Sequence, residues 1–174
     1  MKNTIKLFFF LFLIFNFNKA FADNPIVFID MNKVIRISEI GISIKKQFEK
    51  LNKSNLDNFK KIEENLKKEE QDLISKKNVL SQDEFKKKSA DLRKKVIEYQ
   101  SSRKTKADDL NKKRVTATQS LFKKINPILA SYTKENNISL ILDKRNVVIG
   151  NTALDITDII VDLLNKSNPK ISLN

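Results

Sequence analysis

The side chains that most often do chemistry are the ones this sequence lacks. It contains no His and no Cys, which removes the imidazole base, the thiol nucleophile, the thiolate zinc site and the disulfide together. Its two glycines, Gly41 and Gly150, are too few and too far apart for a phosphate-cradling loop. Carboxylates remain. The doublets Glu63-Glu64 and Glu69-Glu70 come nearest to an acid–base pair, but they lie in a lysine-rich helical stretch where such doublets form exposed ion pairs. No catalytic residue, cofactor or metal is therefore expected. The remaining chemistry is contact. Lys76, Lys77, Lys86, Lys87 and Lys88, with Arg93 beyond them, form a basic cluster, and Phe59, Leu66, Leu73 and Phe85 punctuate the same stretch. These residues suit many weak ionic and apolar contacts with an anionic or unfolded partner.

Those residues need a long helical support. Residues 42–77 lack Gly and Pro, and Phe59, Leu66, Leu73 and Leu80 recur every seventh residue, the period of a coiled-coil seam. Ile62 is the apolar companion, but Glu69 and Lys76 follow it at the heptad repeats, so the stripe is narrow. Ser81 with Glu84 makes a capping box, which predicts a helix stopping near Asn78 and a second one starting at Gln82. The second carries Phe85, Leu92, Val96, Tyr99, Leu110, Ala117 and Leu121, interrupted by Arg103 and Lys106. Each arm spans about 55 Å at 1.5 Å per residue, and the short turn makes them antiparallel. Glu63–Lys67, Glu64–Lys68, Asp91–Lys95 and Asp108–Lys112 have the spacing of supporting i,i+4 pairs.

A small body must anchor the arms. Ile26, Val27, Phe28 and Ile29 read as a strand buried on both faces. Met31 to Ser38 reads as a short helix or turn, and Gly41 as the start of the long helices. Pro127 should kink or break the second arm where it rejoins the body, and Asn136-Asn137 should end it. Ile138 to Leu142 (including Leu140 and Ile141) reads as a second strand, Val147, Val148 and Ile149 as a third, and Asp155 to Leu164 as a last helix with early aspartates. The expected class is α+β, a small strand-rich body from 23–41 and 121–174 with a helical-hairpin arm at 42–120. So small a core is marginal alone and favours an oligomer.

Residues 1–22 read as a cleaved signal peptide. Lys2 and Lys6 precede the apolar run Leu7–Phe15, and Ala20-Phe21-Ala22 supplies the cleavage pattern. Loss of Lys2, Lys6 and Lys19 with no acid takes the net charge from +13 to +10. In residues 42–77 ten Lys face seven acids, and in 82–120 twelve Lys and Arg face six, so the arms hold nearly all of the excess. Export and the lack of an aromatic-basic stacking pattern argue against a nucleic-acid partner. Anionic lipid headgroups suit the positive hairpin tip.

The signal peptide, "IVFIDMNKVI", the Lys/Glu hairpin and "ISLILDKRNVVIGNTALDITDIIVDLLNK" together resemble the Skp/OmpH family of periplasmic chaperones across the whole mature chain. The resemblance implies a homotrimer with a β-barrel-like body and three helical tentacles around a cavity. It also implies periplasmic, ATP-independent holding of unfolded outer-membrane proteins. The polar interruptions of the stripes fit arms that stand apart. The family's lipopolysaccharide-binding patch maps to no particular lysines here, so lipopolysaccharide is a partner class without assigned residues. A structural coiled-coil protein of the envelope, a spacer or adaptor, is the alternative. It would need no strands at both ends of the chain.

Overall fold

The computed structural model describes residues 25–173, so the signal-peptide reading lies outside the described residues. In chain order the elements are β1 (Ile26–Ile29), α1 (Met31–Ile37), α2 (Glu39–Ser75), α3 (Gln82–Glu135), β2 (Leu140–Asp143), two 3₁₀ turns (Lys144–Asn146 and Thr152–Leu154) and α4 (Thr157–Ser167). No described helix is long and apolar enough to cross a membrane.

Helices α2 and α3 are long because nothing in 42–77 or 82–126 interrupts them, and both start on a side-chain cap. Ser38 accepts from the Gly41 N–H at 3.3 Å. Ser81 accepts from the Glu84 N–H at 3.3 Å, while the Glu84 carboxylate accepts from the Ser81 N–H at 3.1 Å, completing the capping box. The first helix ends at Ser75 rather than near Asn78, and a turn through residues 76–81 reverses the chain. Gly41 does not mark the start of α2 but lies in its first turn. It is glycine because the Ile35 carbonyl of α1 packs against it, and a Cβ there would fall 1.7 Å from that oxygen.

Pro127 neither kinks the chain out of helix nor ends it, contrary to expectation, since α3 runs unbroken to Glu135. Its missing N–H costs one helical hydrogen bond. Leu121 and Ile125 before it are fully buried and Ile128 and Leu129 after it pack on the same core, so burial on both sides holds the helix together. Asn137, in the left-handed region at φ 52°, then turns the chain toward β2.

The body is corrected from strand-rich to mainly helical. β1 and β2 form a two-stranded parallel sheet with Ile26 opposite Leu140 and Phe28 opposite Leu142. Strand β2 begins at Leu140, two residues later than the apolar run suggested. Val147, Val148 and Ile149 form no strand. Asp143 accepts from the Arg145 backbone and guanidinium at 2.7–3.0 Å, and the resulting 3₁₀ turn leads the chain off the sheet. The other edge of β1 is met by Asp155, and the Ile156 N–H donates to the Phe28 carbonyl at 3.0 Å. Val27 and Ile29 face a core of Val34, Ile40, Leu121, Ile125, Ile156, Ile160 and Leu164.

Helix α4 closes the body. The Asp30 N–H donates to Thr157 Oγ1 at 2.9 Å, and Asp155 accepts from the Thr157 N–H at 3.0 Å and from its hydroxyl. After α4 the chain reverses at Asn168, φ 42°, and residues 169–173 run along the base of the hairpin.

Candidate functional site

The two arms hold each other through the residues that interrupt their apolar stripes. Phe59, Leu66, Leu73 and Phe85 are half-buried, and Phe59 meets Tyr99 edge-on with centroids 5.9 Å apart. Arg103 lies 6.0 Å from the Phe59 ring and 5.7 Å from the Tyr99 ring, and its Nη1 reaches Glu63 at 3.4 Å. The Tyr99 hydroxyl donates to the same carboxylate. Desolvation first, then that hydrogen bond, raises the phenol above its ordinary value. Lys95 donates to both oxygens of Glu69 at 2.7 and 2.8 Å. The four expected i,i+4 pairs are therefore corrected. Glu63 and Lys95 bond across the hairpin, and among the described residues none of the four pairs closes. The interruptions at Glu69 and Arg103, expected to keep arms apart, tie the two helices of one hairpin together. Glu63 and Glu69 are thereby engaged in ion pairs.

At the tip the basic cluster divides. Lys76 donates to Asp72 at 2.8 Å, and Lys76, Lys88 and Lys95 alternate with Glu69, Asp72 and Asp91 around the shallow hollow where the helices part. Lys77 and Lys87 stand exposed. Lys86 and Arg93 line a second shallow hollow on α3 together with Ile97.

Ile97 belongs to a set that the heptad spacing passes over. Ile74 is 63 % exposed, Val79 83 % and Ile97 58 %, and Leu56 and Val115 are exposed as well. Three of them sit in apolar doublets: Leu73-Ile74, Val79-Leu80 and Val96-Ile97. Leu73, Leu80 and Val96 enter the seam, half-buried, so their neighbours must face outward. The doublet is the sequence signal that locates them.

The residues expected to build the oligomerisation body also divide. Val27, Phe28 and Ile29 are buried within the chain, and Ile141 and Val147 are half-buried. Ile26, Leu140 and Leu142 are exposed on one face of the sheet, and Val148 and Ile149 are fully exposed beside it. Phe28 shares that face but is covered. A Cβ on Gly150 would lie 2.9 Å from its ring, and Lys144 Nζ stands 5.7 Å from the ring centroid. Lys144 also bonds Asp155 at 2.6 Å, which raises the amine above its ordinary value. The Arg145 guanidinium and N–H hold the Asp143 carboxyl down at about 2. An apolar patch framed by ion pairs results.

The chain matches a family profile described as "Outer membrane protein (OmpH-like)" over residues 25–164. The segment after α4 lies outside the match. No functionally curated protein matches the sequence. Among solved structures, an OmpH-like protein of Caulobacter crescentus, itself assigned only provisionally as an outer membrane chaperone, shares the fold. The TM-score is 0.81 at 18% sequence identity, covering 84% of this chain and 87% of that one.

Proposed function

Because the chain belongs to the OmpH-like outer membrane protein family, we propose that it is a periplasmic holdase, binding unfolded outer-membrane proteins between helical arms without ATP. One observation carries the reading. The arms satisfy each other through the Glu63–Tyr99–Arg103 and Glu69–Lys95 contacts, and so leave Ile74, Val79 and Ile97 facing outward among exposed lysines. A spacer or adaptor has no use for outward apolar side chains on a highly charged helix. A chaperone uses them as weak, repeated contacts with an exposed apolar chain, and linkage among several multiplies the affinity by about 10²–10⁴. Lys76, Lys77, Lys86, Lys87, Lys88 and Arg93 attract the client, and Phe59, Leu66, Leu73 and Phe85 add apolar surface wherever the seam opens.

The body provides the assembly surface. Ile26, Leu140, Leu142, Val148 and Ile149 form a patch that three copies cover on one another, giving a homotrimer with the arms around a cavity. The test is dilution of a urea-unfolded β-barrel into buffer with the mature protein and no nucleotide. Light scattering should fall to baseline near one trimer per client. Unchanged aggregation at a tenfold excess of trimer would exclude the holdase.

A further inference from the structure

Residues 169–173 lie in a groove where α2 and α3 leave the body, and the hairpin reads their main chain. The Gln47 amide on α2 donates through Nε2 to the Ile171 carbonyl at 2.9 Å and accepts through Oε1 from the Leu173 N–H at 3.1 Å. A carbonyl and an N–H two residues apart are the pair that one residue of a neighbouring strand takes in a parallel ladder. A single side-chain amide thus stands in for a strand edge. From α3, Lys113 Nζ reaches the Leu173 carbonyl at 3.4 Å. Thr116, Ala117 and Ser120 line the groove beside a cavity of about 230 Å³, and such small side chains leave room for a backbone. Ile171 leans on the core, and Ile171-Ser172-Leu173 has the alternation of a half-buried strand.

We infer that this groove is a binding site for extended polypeptide with alternating apolar and polar side chains, that residues 169–173 are its resident occupant, and that unfolded client displaces them. The inference rests on the chaperone reading for the identity of the displacing chain. The chemistry of the groove supports it. Recognition through backbone groups gives affinity without demanding a sequence, as in strand addition to a sheet edge, and a client of many β-strands offers that backbone many times over. The resident segment is tethered to α4, which keeps its local concentration in the millimolar range. A tethered occupant lowers the apparent affinity of a competitor by the fraction of time the groove is empty. Weak segments are thereby excluded, and clients that also engage the arms are admitted. Lys112 and Lys113 beside the groove continue the positive surface of the arms.

The test uses the full mature chain in four forms: parent, Ile171→Asp, Gln47→Ala and the double variant. The probe is a labelled peptide of sequence NPKISLN, the chain's own residues 168–174. Unseating the resident with Ile171→Asp should tighten peptide binding about tenfold or more, and Gln47→Ala in that background should abolish the gain. Equal binding to parent and Ile171→Asp, or a gain that survives Gln47→Ala, overturns the site. A second measurement does not depend on Ile171→Asp folding. The chain has no cysteine, so Leu173→Cys carries a single environment-sensitive dye. Adding urea-unfolded barrel should move its emission to that of the free labelled peptide. A parent that suppresses barrel aggregation with no dye shift overturns displacement alone. A parent that does not suppress aggregation while Gln47-dependent peptide binding persists overturns the chaperone reading and upholds the peptide site.

Discussion

Replacing Gly41 with alanine should unseat the elbow between α1 and α2. The helices meet at Ser38, fully buried, whose N–H closes α1 on the Val34 carbonyl at 3.1 Å and whose hydroxyl caps α2. The new Cβ would fall 1.7 Å from the Ile35 oxygen and 2.8 Å from its carbonyl carbon. Inside a free helix the change is favourable by about 0.8–1.0 kcal/mol. Against it stands overpacking, about 1–3 kcal/mol, at the upper end because main chain rather than a flexible side chain must move. Loss of the Ser38 cap adds about 1 kcal/mol. The net is a destabilisation of about 2–3 kcal/mol, and at about 2–4 °C per kcal/mol for a domain of this size the midpoint falls by about 4–12 °C. Far-UV circular dichroism during heating and in urea measures it, at fixed protein concentration because an oligomer's midpoint depends on concentration. Ser54→Ala, on the exposed side of α2, is the control and should change little. A Gly41→Ala protein as stable as the parent would refute the close packing of α1 on α2.

Arg103→Ala removes two ring contacts and the exposed ion pair to Glu63, and should cost about 1 kcal/mol. Faster amide exchange confined to the middle of the arms would register it. Ser81→Ala should cost about 1 kcal/mol through the capping box. The Ser81 hydroxyl and N–H hold the Glu84 carboxyl below its ordinary 4.5. A depressed carboxylate stabilises the fold above its unfolded pKa and loses that contribution as pH falls through its folded value, so the deficit measured at pH 7 should shrink in acid below 4.5. Replacing Lys76, Lys77, Lys86, Lys87 and Lys88 with Gln should slow capture of acidic unfolded barrels by about 10-fold or more at low salt. Stopped-flow rates equal to the parent's at low salt would show those lysines to be solvated surface only. Leu140→Asp with Leu142→Asp, on the exposed sheet face, should leave the monomer fold intact and dissociate the proposed trimer, as read by sedimentation.

The hairpin was legible because its signals are local. Ser81 and Glu84 are three residues apart and bond as a capping box, and the heptad run from Phe59 to Leu80 lies in the seam. The buried strand Ile26–Ile29 was equally plain, apart from the exposed side chain of Ile26. What spacing along one helix could not show was which partner each charge takes. Glu63 has a lysine four residues on, yet it bonds Tyr99 and Arg103 on the facing helix. Pro127 misled because the rule against interior proline describes an isolated helix, and the core on either side of it overrides that rule. Val147-Val148-Ile149 misled because an apolar run says that a segment seeks burial without saying in what. Gln47, whose role depends on residues more than a hundred positions later, carried no sequence signal.

The two parallel strands come from opposite ends of the described chain, and the bond from Asp30 to Thr157 joins residues 127 positions apart. Closing so long a flexible loop by chance is entropically slow, and folds dominated by such contacts form slowly. Here the intervening chain is not flexible. The helices joined by the 76–81 turn are held side by side toward the body through Lys95–Glu69 and Arg103–Glu63. They return residues 39 and 125 to one another already ordered, leaving β1 and β2 only a short gap to close. The arm is thus also the guide that assembles the body. In chain order β1 precedes its partner strand by the whole hairpin, so it has no strand to pair with until both helices have been made. Rapid closure of the Ser81 turn would therefore shorten the time for which β1 lacks its partner strand.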